Sequence, residues 1–188
     1  GVVQDPNGVL YFANGDGVLM YDGVNWSTII TSLATSVLSL DISESGRIYV
    51  GGINEFGYLA PDSLGELHHT SLSKLLPDSI RGFNNIWNTF CINNVVYFQS
   101  DKEVFIYDND TIIKVDAYSS LSSSYEVNNE IWVHDFKEGL FSLSAKGRRE
   151  VVLNTEVLKG KAIYQILPYS TNEVLIVTGI FGIYKYNL

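Results

Sequence analysis

Residues 2–30 read VVQDPNGVLYFANGDGVLMYDGVNWSTII, and this stretch decides the fold. Four apolar runs stand in it: Val2 to Gln4, Leu10 to Phe12, Val18 to Tyr21 and Trp26 to Ile30. Between them lie Asn7-Gly8, Gly15-Asp16-Gly17 and Asp22-Gly23. A two-residue type I′ hairpin needs positive φ at both central residues, which Gly and Asn tolerate and β-branched residues do not. The stretch therefore reads as four short strands folded back on one another, an antiparallel meander.

The same unit recurs along the chain. Turn signals stand at Asn7-Gly8, Ser45-Gly46, Asn93-Asn94, Asn128-Asn129 and Thr171-Asn172, each expected to be a type I′ turn, and each is followed by an apolar triplet. The triplet centres are Tyr11, Tyr49, Tyr97, Trp132 and Leu175, separated by 38, 48, 35 and 43 positions. A third apolar run follows each triplet: Val18 to Tyr21, Gly57 to Leu59, Val104 to Tyr107, Gly139 to Leu143 and Gly182 to Tyr186. In the first four units a fourth follows, at Trp26 to Ile30, Leu67 to Thr70, Thr111 to Val115 and Arg149 to Leu153. Four strands in a repeat of ~40 to 50 residues is the signature of a β-propeller.

The second strands are apolar at successive positions, which means burial on both faces, as in sheets stacked radially between neighbours. A β-sandwich would instead alternate in its outward strands and show no fixed period. The fold expected is all-β, a β-propeller fragment of about five four-stranded blades, at residues 1–33, 34–76, 84–117, 122–155 and 160–188. The last blade is expected to be incomplete, because the fifth unit has no fourth strand and open strand edges are avoided in natural domains. The longer segment Pro61 to Asn85, with Leu72, Leu75, Leu76 and Pro77, has room for a short helical turn, and no helix beyond about two turns is expected elsewhere.

Composition agrees and removes several function classes. The 188 residues are 46 % hydrophobic, 18 % charged and 13 % aromatic, well outside the disordered range. A net charge of −9 with twelve Lys and Arg gives no basic face for phosphates, so no nucleic-acid partner is expected. The basic run Lys146 to Arg149 reads as a solvated turn tip. No apolar run approaches the ~18 residues of a membrane helix. Cys91 stands alone between Phe90 and Ile92, a small buried hydrophobe with no disulfide partner. The sequence opens on Gly1, neither an initiator Met nor a signal peptide.

Catalytic and cofactor signatures do not appear. Of the three histidines, His68, His69 and His134, the adjacent His68 and His69 point to opposite faces of a strand and cannot share a metal, and no Cys, His or carboxylate spacing of the zinc type surrounds them. No Gly-x-Ser-x-Gly elbow occurs, and Gly15-Asp16-Gly17 and Gly51-Gly52 read as hairpin or bulge glycines, since no helix follows to seat a phosphate. No catalytic residue, metal or cofactor is expected, and the segment is read as no enzyme, a glycan lyase or hydrolase being the least favoured alternative. The loops joining second to third strands emerge on one face of a propeller and differ in every repeat, as an asymmetric ligand requires. They carry Asn14, Asp16, Asn54, Glu55, Phe56, Asp101, Lys102, His134, Asp135 and Lys137, the candidate ligand-binding set, with Thr178 and Phe181 in the fifth unit. Carboxylates, amides and aromatics in such a mixture suit a polar ligand such as an oligosaccharide.

With Val9 to Ala13, Gly17 to Leu19 and Tyr21 to Gly23, followed by VLSLDISESGRIYVGGINEFGYLAPDSLGELHHTSL at 37–72, the chain resembles the opening blades of the two-component regulator propeller family. The resemblance covers roughly residues 1 to 77 and survives later as Gly139-Leu140 and Gly182-Ile183. It implies a periplasmic sensor propeller, usually of seven or more blades. Such propellers are followed by a triple-tyrosine domain, a membrane helix and a histidine kinase or helix-turn-helix output domain, none of which is in this chain. Relatives in gut bacteria answer to polysaccharide breakdown products, so a small-molecule or oligosaccharide ligand is implied. The rival expectation is a scaffold that makes only protein contacts, such as a homodimer through propeller faces.

Overall fold

A computed structural model describes residues 1–188, and it forms five antiparallel sheets in chain order. The first holds β1 (Val2–Gln4), β2 (Leu10–Asn14), β3 (Gly17–Tyr21) and β4 (Trp26–Ile29). The second holds β5 (Val37–Ile42), β6 (Ile48–Gly52), β7 (Phe56–Pro61) and β8 (Leu67–Ser71). The third holds β9 (Asn88–Ile92), β10 (Val95–Gln99), β11 (Glu103–Asp108) and β12 (Thr111–Asp116). In the fourth are β13 (Leu121–Val127), β14 (Glu130–Asp135), β15 (Gly139–Leu143) and β16 (Arg149–Val151), and in the fifth β17 (Ile163–Ser170), β18 (Glu173–Thr178) and β19 (Ile183–Asn187). Two 3₁₀ turns, Ser73–Leu75 and Asp78–Ile80, fall in the expected long connection; a third, Glu156–Leu158, precedes the fifth sheet. No helix is long and apolar enough to cross a membrane.

The sheets stack face to face, and the first strands, β1, β5, β9, β13 and β17, lie side by side in order at the inner edge. Four apolar clusters fill the four gaps. Tyr11, Val18, Val37 and Val50 join sheets one and two; Tyr49, Phe56, Phe98 and Phe105 join two and three. Tyr97, Ile106, Ile131 and Val133 join three and four, and Trp132, Leu140, Ile166 and Ile176 join four and five. Every residue of β6 and β10 is buried, because each of these strands has a sheet on both sides. By contrast β18 alternates and β2 is largely half-buried, since their sheets are covered on one face here.

The hairpins correct one expectation. Asn93-Asn94 (φ 50° and 64°) and Asn128-Asn129 (φ 50° and 60°) are left-handed at both positions, as type I′ demands. Asn7-Gly8 and Ser45-Gly46 are not: only the Gly is left-handed, in a longer loop that closes through Gly8 N–H on the Asp5 carbonyl (3.0 Å) and Gly46 N–H on the Ser43 carbonyl (2.9 Å). Asp5 drives the first of these, its Oδ1 accepting from the N–H groups of Asn7 and Val9 at 2.9 Å each. Thr171-Asn172 joins Ser170 to its partner Glu173 as a two-residue turn with no left-handed residue, and a register shift between Pro168 and Ser170 precedes it in β17. Gly51 and Gly52 sit within β6, opposite the bulge between Val37 and Ser39. A Cβ on Gly51 would lie 2.3 Å from Ile86 Cγ2, so this glycine lets sheets two and three approach.

Candidate functional site

The loops between second and third strands are bonded to the segments that lead into their own sheet or into the following one. Asn54 N–H donates to the Asn84 carbonyl at 2.6 Å, and Asn84 N–H returns a bond to Asn54 Oδ1 at 2.8 Å. Leu121 N–H meets the Asp101 carbonyl at 2.8 Å, Phe136 N–H the Ser120 carbonyl at 2.9 Å, and Gly160 N–H the Phe136 carbonyl at 2.7 Å. In the first unit Ser36 Oγ donates to the Gly15 carbonyl at 2.9 Å, and in the fifth Gly179 N–H meets the Ala162 carbonyl at 3.1 Å. Loops and connections thus form one laced surface.

The ten residues read from the sequence divide into two groups on it. Asp16, Lys102 and Lys137 are exposed, and Asn14, Asn54 and Asp101 are half-buried. Glu55, Phe56, His134 and Asp135 face inward, each at 1 % exposure or less. Glu55 Oε1 accepts from the hydroxyls of Ser71 (2.7 Å) and Ser73 (2.6 Å), and Phe56 packs against Phe83, Phe98 and Phe105. His134 bonds the Ser122 hydroxyl through Nδ1 and approaches the Leu158 carbonyl through Nε2 at 3.4 Å. Burial holds its pKa below the ordinary imidazole value, against a smaller upward pull from Leu158 and Asp135.

Asp135 ties two loops together. Its carboxylate accepts from the N–H groups of Tyr118 (2.7 Å), Ser119 (2.8 Å), Lys137 (3.0 Å) and Glu138 (3.3 Å) and from the Ser119 hydroxyl. Burial pushes this carboxyl up, but the bonds from Ser119, Lys137 and Glu138 outweigh it and leave the pKa below the usual carboxylate range. These inward residues therefore shape the surface, and other side chains are presented on it.

Several of the presented groups are aromatic. Trp87 is 46 % exposed, Tyr118 73 %, Phe136 42 %, Tyr164 70 % and Phe181 50 %. Trp87 is fixed by its indole N–H, which donates to an Asp101 carboxylate oxygen at 2.7 Å. Tyr118 and Phe136 ride on the Asp135-centred loops, Lys161 Nζ stands 5.0 Å from the Phe181 ring, and Tyr164 lies against Gly179. Of these five rings the sequence marks only Phe181 as part of the loop set. Tyr164 occupies the register shift between Ile163 and Gln165, and Tyr118 and Phe136 stand in connections with no apolar neighbour of strand spacing. An aromatic residue out of phase with the strand period is the signal that marks them. No metal-type cluster lies on this face; the one in the molecule is on the β7–β8 hairpin.

Solved structures share the arrangement over the whole chain. The extracellular domain of BT3049 from B. thetaiotaomicron, a protein assigned to the hybrid two component systems, superposes with a TM-score of 0.68 at 17 % identity, over 100 % of this chain and 27 % of that one. The WD40 propeller domain of Doa1 gives 0.67 at 13 % identity, over 100 % and 66 %, and virginiamycin B lyase from Staphylococcus aureus 0.66 at 12 %, over 100 % and 69 %. The fold is a β-propeller. At such identities the likeness establishes the fold alone, and these propellers include an extracellular domain of a two component system, a WD40 domain and a lyase. No protein-family model matches the chain, and no curated protein matches its sequence.

Proposed function

We propose that this chain is part of the ligand-sensing propeller of a bacterial two-component sensor or transcriptional regulator. It works in the periplasm, and its ligand is an oligosaccharide released from a polysaccharide. The observation that carries this reading is the pairing of exposed, anchored aromatic rings with exposed or half-buried polar groups on one laced face. Trp87 beside Asp101, and Tyr118, Phe136 and Lys137 on the two loops that Asp135 joins, offer flat apolar surface and hydrogen-bonding groups on one face, the combination that sugar rings need. The family resemblance of residues 1 to 77 and the fold shared with the BT3049 extracellular domain support the sensor context. The segment is read as non-catalytic, and His134 and Asp135 are read as holding the loops of this face through their hydrogen bonds.

A scaffold reading draws on a different observation. The first sheet bears an exposed Trp26 stacked on Tyr21 (4.5 Å) and near Phe12 (5.7 Å), and the fifth bears exposed Leu167 and Ile183, apolar surfaces of the kind that meet more protein.

The test is a thermal-shift screen of the intact extracytoplasmic region against oligosaccharides. A ligand at a hundred times its Kd stabilises by about 2.7 kcal/mol. For a unit of about 150 to 250 residues that raises Tm by roughly 5 to 10 °C, and for the larger intact region by correspondingly less. Trp87→Ala combined with Tyr118→Ala should abolish the shift while leaving the unliganded Tm close to the parent. A panel with no shift, or a shift untouched by the double variant, overturns the reading; a Tm that depends on protein concentration instead favours the scaffold.

A further inference from the structure

We propose that the β7–β8 hairpin carries a divalent-cation site formed by Asp62, Glu66 and His68, separate from the loop face and suited to a borderline transition ion such as Zn²⁺. The hairpin builds it from local rules. Gly65 is left-handed (φ 86°), and the loop closes through Gly65 N–H on the Asp62 carbonyl (3.1 Å) and Asp62 N–H on the Glu66 carbonyl (2.9 Å). Asp62 Oδ1 is occupied by the N–H groups of Leu64 (2.8 Å) and Glu66 (3.0 Å), which fixes the carboxylate and leaves Oδ2 turned along the hairpin. Glu66 and His68 are two positions apart, and in an extended strand that places both side chains on one face. Asp62 Oδ2 then stands 3.2 Å from His68 Nε2, and one donor atom from each of the three residues lies within 4.8 Å of the others.

The Asp62–His68 pair already stands near the spacing of a small ion's shell, and Glu66, an exposed side chain within 4.8 Å, has to close in on the ion to complete it. Zinc–nitrogen and zinc–carboxylate bonds of about 2.0 to 2.2 Å place neighbouring donors in a tetrahedral shell roughly 3.3 to 3.6 Å apart. No cationic side chain competes: Glu66 makes no ion pair or side-chain hydrogen bond, and the ring nitrogen of His68 meets only Asp62. Two carboxylates therefore face one another across a single imidazole, and a cation removes their repulsion. The donor set also selects the ion. One imidazole nitrogen with two carboxylates suits Zn²⁺, Ni²⁺ or Cu²⁺, whereas Ca²⁺ and Mg²⁺ take six or more oxygens. All three residues are exposed, so three protein ligands leave at least one position for water, and Glu66 and His68 border an open groove beside Ser27, Thr28 and Ile30. His69 takes no part. It turns to the first sheet, where its Nδ1 accepts from the Ser32 backbone N–H at 3.2 Å.

The site is tested by titrating the tag-free, EDTA-treated protein with ZnCl₂ by calorimetry, with CaCl₂ in parallel, and by recording His imidazole ¹⁵N spectra. One equivalent of Zn²⁺ is expected to bind with the His68 signals moving, and Ca²⁺ at the same concentrations is expected not to bind. His68→Ala and Glu66→Gln, both on an exposed hairpin, should each weaken Zn²⁺ binding at least tenfold while circular dichroism stays unchanged. Glu44→Gln, on a hairpin of the same sheet, should bind as the parent does. Parent-like affinity in both hairpin variants, movement of the His69 or His134 signals in place of His68, or no binding at millimolar Zn²⁺ overturns the proposal.

Discussion

Asp135→Ala should be among the most damaging single changes on the loop face, although no ligand need touch the residue. Four backbone N–H groups and one hydroxyl converge on a carboxylate at 0 % exposure. A hydrogen bond to a charged group contributes about 1.5 to 3 kcal/mol. Lys137 and Glu138 are exposed, so water can replace their bonds, while Ser119 is half-buried and loses its backbone and hydroxyl bonds more completely. Allowing for that replacement, the net loss is about 3 to 5 kcal/mol, the range for breaking a buried polar network. At ~2 to 4 °C per kcal/mol for this chain length, Tm falls by roughly 6 to 20 °C. Asp135→Asn keeps one acceptor but turns an amide N–H₂ towards the donors, and should fall between parent and Ala. The folded pKa is depressed, so the stabilisation is present above the unfolded value and is lost as pH drops through the folded value. The gap between parent and Asn in melts at a series of pH values should therefore narrow on acidification. A Tm for the Ala variant within a degree or two of the parent, or a gap that does not change with pH, would refute the reasoning.

Trp132→Ala removes a side chain at 6 % exposure, whose ring meets Tyr186 edge-on at 5.7 Å between sheets four and five. It should cost about 3 to 5 kcal/mol in urea denaturation, and a loss under about 1 kcal/mol would contradict the sheet packing. Gly51→Ala drives a methyl to 2.3 Å from Ile86 Cγ2 and should destabilise by about 1 to 3 kcal/mol; an unchanged urea midpoint would show that the two sheets are not so close. Burial holds the pKa values of His69 and His134 below the ordinary imidazole value, so the folded state resists their protonation. Stability should be full above an unfolded value of about 6.5 and decline as pH falls below it, and a urea midpoint flat from pH 7.5 to 5.0 would be evidence against buried neutral imidazoles.

The strand plan could be read from the sequence because its signals are local. Triplets such as Val96-Tyr97-Phe98 and Ile131-Trp132-Val133 declare burial on both faces, and Asn-Asn pairs declare their turns. Elsewhere the deciding partner is distant or the cue is indirect. The turns at Gly8 and Gly46 depend on Asp5 and Ser43, residues before the dipeptides that mark them. Glu55, His134 and Asp135 are polar residues near loops, a pattern that reads as surface, yet each is buried by a partner 12 to 18 positions away, such as Ser73, Ser122 or Ser119. Tyr164 reads as a strand residue, and only a register shift turns it outward. The cluster of Asp62, Glu66 and His68 has no linear signature, because the turn rather than a fixed spacing brings Asp62 to His68.

The lacing of the loop face also limits how such a surface can change over evolutionary time. Phe136 bonds back to Ser120 and forward to Gly160, and Asp135 clamps Tyr118 and Ser119. Inserting a residue into the loop that follows β14 would therefore detune both the segment before it and the one after it, because each supplies hydrogen-bond partners at fixed heights. Exchanging Lys137 or Lys102 for another side chain disturbs no backbone partner, since each of these loops is held by its main chain while the side chain stands free. New specificities on this scaffold are accessible by repainting positions on a fixed frame, with loop lengths inherited as a matched set.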